Sequence, residues 1–82
     1  MTFELKFSTE ANIQLLKLDK PIAQNIFKKI QALKSNPFLG KPLKNIYKNK
    51  RSLHIGKYRV IYSIQENIII VAKIAHRKNI YT

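Results

Sequence analysis

From residue 51 to residue 75 the chain alternates short β-branched and aromatic runs with tight turn signals, and that order predicts an antiparallel meander. Residues 51–55 run into Gly56-Lys57, a two-residue hairpin signal. Residues 58–64 then set Tyr58, Val60, Tyr62 and Ile64 against Arg59, Ile61 and Ser63, the period of two expected of a half-buried strand. Gln65-Glu66-Asn67 turns the chain again. The stretch 68–75 is the most β-branched of the sequence, which predicts the centre of the sheet.

Upstream of the meander the period changes. Phe3, Leu5 and Phe7 alternate with polar residues and read as one more strand. Ser8 or Thr9 can cap a helix carrying Ala11, Leu15 and Leu18 on one stripe, with Glu10 favourably placed in its first turn. Asp19 starts a second helix with Pro21 in the first turn, where a missing N–H costs nothing. Its stripe is Ile22, Ile26, Ile30 and Leu33, widened by Ala23 and Phe27, and Ser35-Asn36-Pro37 stops it. The short link between the helices predicts an antiparallel hairpin. Residues 37–49 form a basic connection bearing Pro37, Gly40 and Pro42, with room for one short strand near Leu43. The expected fold is α+β: an N-terminal strand and an antiparallel helical hairpin packed on one face of a curved antiparallel β-sheet, in the order βααβββ. Residues 1–82 are expected to make one domain. With Val60, Tyr62 and Ile64 in the core, Arg59 belongs to the other, open face.

Charge decides which partners such a domain can have. Sixteen Lys and Arg residues face four Asp and Glu, for a net charge of +12. Between Lys20 and Gln65 there is no carboxylate, while eleven cations fall there, so this stretch cannot neutralise itself and projects positive potential. A polyanion is the expected partner, RNA first. A membrane is not, because no basic helix carries the exposed aromatics of an interfacial anchor and no apolar run is long enough to span a bilayer. The sequence has no cysteine, no signal-peptide pattern and only two histidines with four scattered carboxylates, so neither disulfides nor a metal cage nor any other cofactor is expected, and a cytoplasmic location is.

Familiar catalytic motifs are missing: no glycine-rich phosphate loop, no zinc spacing, no nucleophile elbow and no paired carboxylates. There remain His54, Arg59, His76, Arg77 and Tyr81, with Lys41, Lys44, Lys48, Lys50 and Arg51 as candidate RNA-gripping cations. His54 and Arg59 lie on neighbouring strands of a tight hairpin. If the last strand runs antiparallel to 58–64, its end at Ala75 returns beside Arg59 and brings His76 and Arg77 to the same pole. Such a set suits RNA cleavage, in which the 2′-hydroxyl is an internal nucleophile. The protein then has only to orient the phosphate, offset the charge of the phosphorane and move two protons. Arginine forks serve the phosphate oxygens, and histidine or a tyrosine among cations serves the protons. Each of these residues also has a plain structural reading, as a solvated strand position or as a side chain closing a strand.

The run Leu53-His54-Ile55-Gly56-Lys57-Tyr58-Arg59-Val60-Ile61-Tyr62, followed by Ile74-Ala75-His76-Arg77-Lys78-Asn79-Ile80-Tyr81, resembles the RelE/ParE toxin superfamily. Ala32-Leu33-Lys34-Ser35-Asn36-Pro37 and the Gly40-x-x-Leu43 spacing extend that resemblance over nearly the whole chain. It implies the toxin of a type II toxin–antitoxin pair, bound by a RelB-like antitoxin in a hetero-oligomer. RelE-like members cleave mRNA on the ribosome, without metal, through 2′-hydroxyl attack, whereas ParE-like members inhibit DNA gyrase and cut nothing. On the RelE side Arg59 matches the central phosphate-contacting arginine, Arg77 the second arginine and Tyr81 the C-terminal catalytic tyrosine. The His76-Arg77 pair with Tyr81 favours that branch. Ser52 and His54 stand where some RelE proteins carry two lysines acting as base and stabiliser. Ser52 cannot supply a cation. The resemblance leaves the base role to His54 and the missing charge to Lys50 or Arg51.

Overall fold

The structure is a computed structural model that describes residues 3–44 and 49–80. Strand β1 (Glu4–Phe7) leads into helix α1 (Thr9–Leu16) and helix α2 (Lys20–Gln31), which tightens into a 3-10 turn at Ala32–Lys34. Strand β2 (Lys41–Pro42) follows, and then β3 (Lys50–Ile55), β4 (Tyr58–Gln65) and β5 (Ile68–His76). The sheet order is β1-β5-β4-β3-β2, with β1 parallel to β5 and every other pair antiparallel. The sheet is therefore mixed. The most β-branched strand, β5, is internal as its composition demands, but the middle position belongs to β4. β4 carries the fully buried Val60 and Tyr62, and it pairs with β5 along its whole length and with β3 from Tyr58 to Ser63.

Both helices lay their stripes on one face of the sheet. Ala11, Ile26, Ile30 and Leu33 form a core with Ile55, Val60, Tyr62, Ile69, Val71 and Ile74, and Leu5, Phe7, Leu15 and Ile22 pack around it. Each buried Ile or Leu contributes roughly 1.5–3 kcal/mol relative to an exposed one. Ser8 caps α1: its Oγ accepts from the Ala11 N–H at 3.0 Å and donates to the Ala72 carbonyl at 2.8 Å. That carbonyl belongs to a β-bulge. Ile61 pairs with Lys73 but Tyr62 pairs with Val71, so Ala72 is an extra residue in β5. Gln14 secures the same strand edge beyond β1, its Oε1 accepting from the Ile74 N–H at 2.7 Å.

The turn that stops the second helix is fastened to the sheet from below. The Tyr62 hydroxyl, fully buried, donates to the Pro37 carbonyl at 2.7 Å and accepts from the Gly40 N–H at 2.9 Å. A Cβ on Gly40 would stand 2.7 Å from that hydroxyl and 2.9 Å from the Ser52 carbonyl, so only glycine fits. Tyr62→Phe strands a buried carbonyl and a buried N–H, and is expected to destabilise the protein by about 1–3 kcal/mol, measured by urea unfolding. In the β4–β5 turn Glu66 takes φ 55°, a left-handed conformation that disfavours a side chain. Glu66→Gly relieves it and is expected to raise the unfolding midpoint, with the strain worth about 1 kcal/mol. A lowered midpoint would contradict that account.

Candidate active site on the open face

The β3–β4 hairpin sets the first row of the site. Gly56 takes φ 58° at the first central position of a two-residue turn, the geometry that matches strand twist and that glycine adopts without strain. It fixes the register, so His54 stands opposite Arg59, and Arg59 opposite Ala75 across the next pair. Paired residues point to the same side. His54 and Arg59 therefore share the face that the helices leave open, since their neighbours Leu53 and Val60 face the helices.

The imidazole has a defined orientation. His54 Nε2 lies 2.7 Å from the Gly56 carbonyl oxygen, which can only accept, so Nε2 carries the proton. In the neutral ring Nδ1 then holds the lone pair. It has no partner among the described residues, and the side chain is exposed. A strand-held base beside a half-buried arginine is an arrangement that can take a proton from a hydroxyl while a phosphate is held.

Arg77 follows the end of β5, and its backbone N–H donates to the Lys57 carbonyl at 2.8 Å. This ties Arg77 to the hairpin turn, at the same end of the sheet as His54 and Arg59. His76 reaches that end too, but not that face. It pairs with Tyr58, meets its ring edge-on at 5.6 Å, and accepts from the Lys78 N–H through Nδ1 at 3.2 Å. Strand alternation thus separates His76 from Arg59. Tyr81 and Lys48 lie outside the described residues.

Among the other cations, Lys41 pairs with Ser52 and Lys50 with Ser63, placing both on the open face, and Lys44 is exposed just beyond β2. Arg51 is turned the other way. It pairs with Tyr62, its Nε donates to the Gly40 carbonyl at 2.9 Å, and its guanidinium lies 5.2 Å from the centroid of Phe38. Ser52 is buried opposite Ile61, and its Oγ has no hydrogen-bond partner among the described residues.

Two open-face cations escape sequence reasoning. Lys6 pairs with Ile70, and Lys73 with Ile61. Strict alternation from Ile69 and Val71 would drive Lys73 into the core, and that contradiction was the available signal for the bulge. Among the described residues no group of three or more metal-ligating side chains converges, and no helix is long and apolar enough to cross a membrane.

A helical pair over one face of a small mixed sheet, with a cationic row on the other, defines the RelE/ParE class of toxins. Residues 5–81 match the family described as ParE toxin of type II toxin–antitoxin system, parDE, and the chain belongs to it. It is thus a toxin of the type II toxin–antitoxin kind. No curated protein sequence matches. Among solved structures it is similar to the toxin–antitoxin complex RelBE2 from Mycobacterium tuberculosis, at 26% identity and a TM-score of 0.87, covering 94% of this chain and 100% of that one. A mutant of the Escherichia coli toxin RelE in the free state matches at 16% identity and a TM-score of 0.78, covering 93% and 84%. An archaeal RelE–RelB complex from Pyrococcus horikoshii matches at 20% and 0.75, covering 96% and 99%. The last two share the fold.

The His54 geometry predicts a specific nitrogen pattern. In ¹H–¹⁵N spectra of the neutral protein, His54 should show a protonated Nε2 and a bare Nδ1. The opposite tautomer would place the base on the wrong atom.

Proposed function

We propose that this chain is a ribosome-dependent mRNA endoribonuclease that arrests translation in the cytoplasm and is held inactive by a cognate antitoxin. The observation that carries this reading is the His54–Arg59–Ala75 row, which sets a proton acceptor beside a phosphate-binding fork on an open, cationic face. In this mechanism His54 Nδ1 takes the proton of an RNA 2′-hydroxyl as its oxygen attacks the adjacent phosphorus. Arg59 and Arg77 offset the charge that builds on the phosphorane oxygens. The bond to the 5′-oxygen breaks and leaves a 2′,3′-cyclic phosphate. Tyr81 is assigned the proton delivered to that leaving oxygen. The internal nucleophile and these groups account for the step without a metal. His76, on the other face, supports the site through the turn it anchors at Lys78, ahead of which Arg77 is held. Lys41, Lys44, Lys48 and Lys50 grip ribosomal RNA.

An antitoxin complementary to this surface is an amphipathic, acid-rich segment, and the antitoxin-bound complexes among the structural relatives support a hetero-oligomer. A second reading is favoured by the family match itself: a ParE-like toxin that binds DNA gyrase and cuts nothing.

Mapping of 5′ ends on a translated message decides between them. Cuts within ribosomal A-site codons, only with ribosomes present, are the expected outcome; an intact message together with inhibited gyrase supercoiling would establish the second reading. Arg77 is exposed and its structural bond is made by backbone. Arg77→Ala should therefore abolish toxicity in cells with no change in thermal midpoint. A fully toxic Arg77→Ala protein overturns the catalytic assignment.

A further inference from the structure

We propose that Phe38 is a stacking platform for an unpaired RNA base, outside the row that would carry the cleavage chemistry. The side chain is 63% exposed, an unusual setting for a phenylalanine, and Leu39 beside it is 48% exposed. The ring does not ride on a loose loop. Its own N–H donates to Asn36 Oδ1 at 3.2 Å, and the Leu39 N–H reaches the Asn36 carbonyl at 3.3 Å. On either side, the buried Pro37 and Gly40 are pinned to the Tyr62 hydroxyl. An aromatic held between two buried anchors has already lost the freedom that binding would otherwise cost it.

The surroundings say what the ring is for. The Arg51 guanidinium lies 5.2 Å from the ring centroid, and its Nε is anchored on the Gly40 carbonyl. Lys41 follows directly in β2, and Lys50 precedes Arg51 in β3, both on the open face. From Lys20 to Gln65 no carboxylate offsets these cations. A nucleotide uses both halves of this surface. Its phosphates meet the lysines and its base meets the aromatic face, the combination by which single strands are bound regardless of sequence. A strand crossing the β2–β3 edge would lay a base on Phe38 and its backbone across Lys41 and Lys50.

The inference rests on RNA being the polyanion of the proposed function, and its test is kept apart from cleavage. Fluorescence anisotropy would measure the whole toxin binding a labelled 12-nucleotide 2′-O-methyl RNA, which cannot be cut through a 2′-hydroxyl, and its counterpart with abasic central positions. The wild type should prefer the base-bearing strand, and Phe38→Leu should weaken that strand alone by roughly 5- to 100-fold. Phe38→Trp should retain the preference, and the salt dependence should be the same in all three, because no charge changes. Equal binding of the two strands by the wild type, or equal binding of the base-bearing strand by wild type and Phe38→Leu, would overturn the proposal. Loss of antitoxin binding in Phe38→Asp alongside such equality would make the ring a protein contact instead. A strand bound as expected but a message left intact in the end-mapping assay would count against cleavage and leave the platform standing.

Discussion

The way β5 meets both faces of the sheet depends on one hydrogen-bonded serine. Ser8 Oγ closes the first turn of α1 and holds the carbonyl of the bulged Ala72. With the bulge in place, Ile69, Val71 and Ile74 all reach the helices, although their spacing breaks a period of two. The same offset turns Lys73 and Ala75 to the open side. A regular strand would have to bury the Lys73 ammonium or expose Val71, at several kcal/mol for the unpaired charge. Core packing and site geometry are therefore set by the same local irregularity.

Adjacent residues in a strand serve opposite purposes here. Lys50 presents its charge on the open face, while Arg51 fastens the turn at residues 37–40 from the helical side. Arg59 and Val60 divide in the same way, as do Ala75 and His76. The large positive charge of this chain is thus not one patch. Part of it lies on the open face, and part is a structural brace that uses the planar fork of a guanidinium.

Much of this was legible in the sequence. The meander, its two turns, the helix boundaries set by Ser8, Asp19 and Asn36-Pro37, and the pairing of His54 with Arg59 all follow from local signals. A two-residue glycine turn leaves only one register. The face of His76 was equally legible, because alternation alone separates it from Ala75, and nearness at a strand end does not put two residues on one face. The parallel pairing of β1 with β5 was not legible, since no local pattern encodes which edge a distant strand joins. The bulge shows in the sequence only through Lys73, which strict alternation from Ile69 and Val71 would bury. The placement of Phe38 carries no periodic signal, since it rests on the Tyr62 clamp and the Asn36 hydrogen bonds around it.

The parallel edge also governs when the domain can exist during synthesis. β1 emerges from the ribosome first, yet its strand partner is β5, the last strand made. Until β5 arrives, the apolar face of β1 has no sheet to join, Ser8 has no bulge to hold, and the row through Arg59 lacks its third strand. A nascent toxin therefore carries neither a closed sheet nor an ordered site. Long-range pairing of this kind slows folding, so the sheet closes only after its last strand is complete.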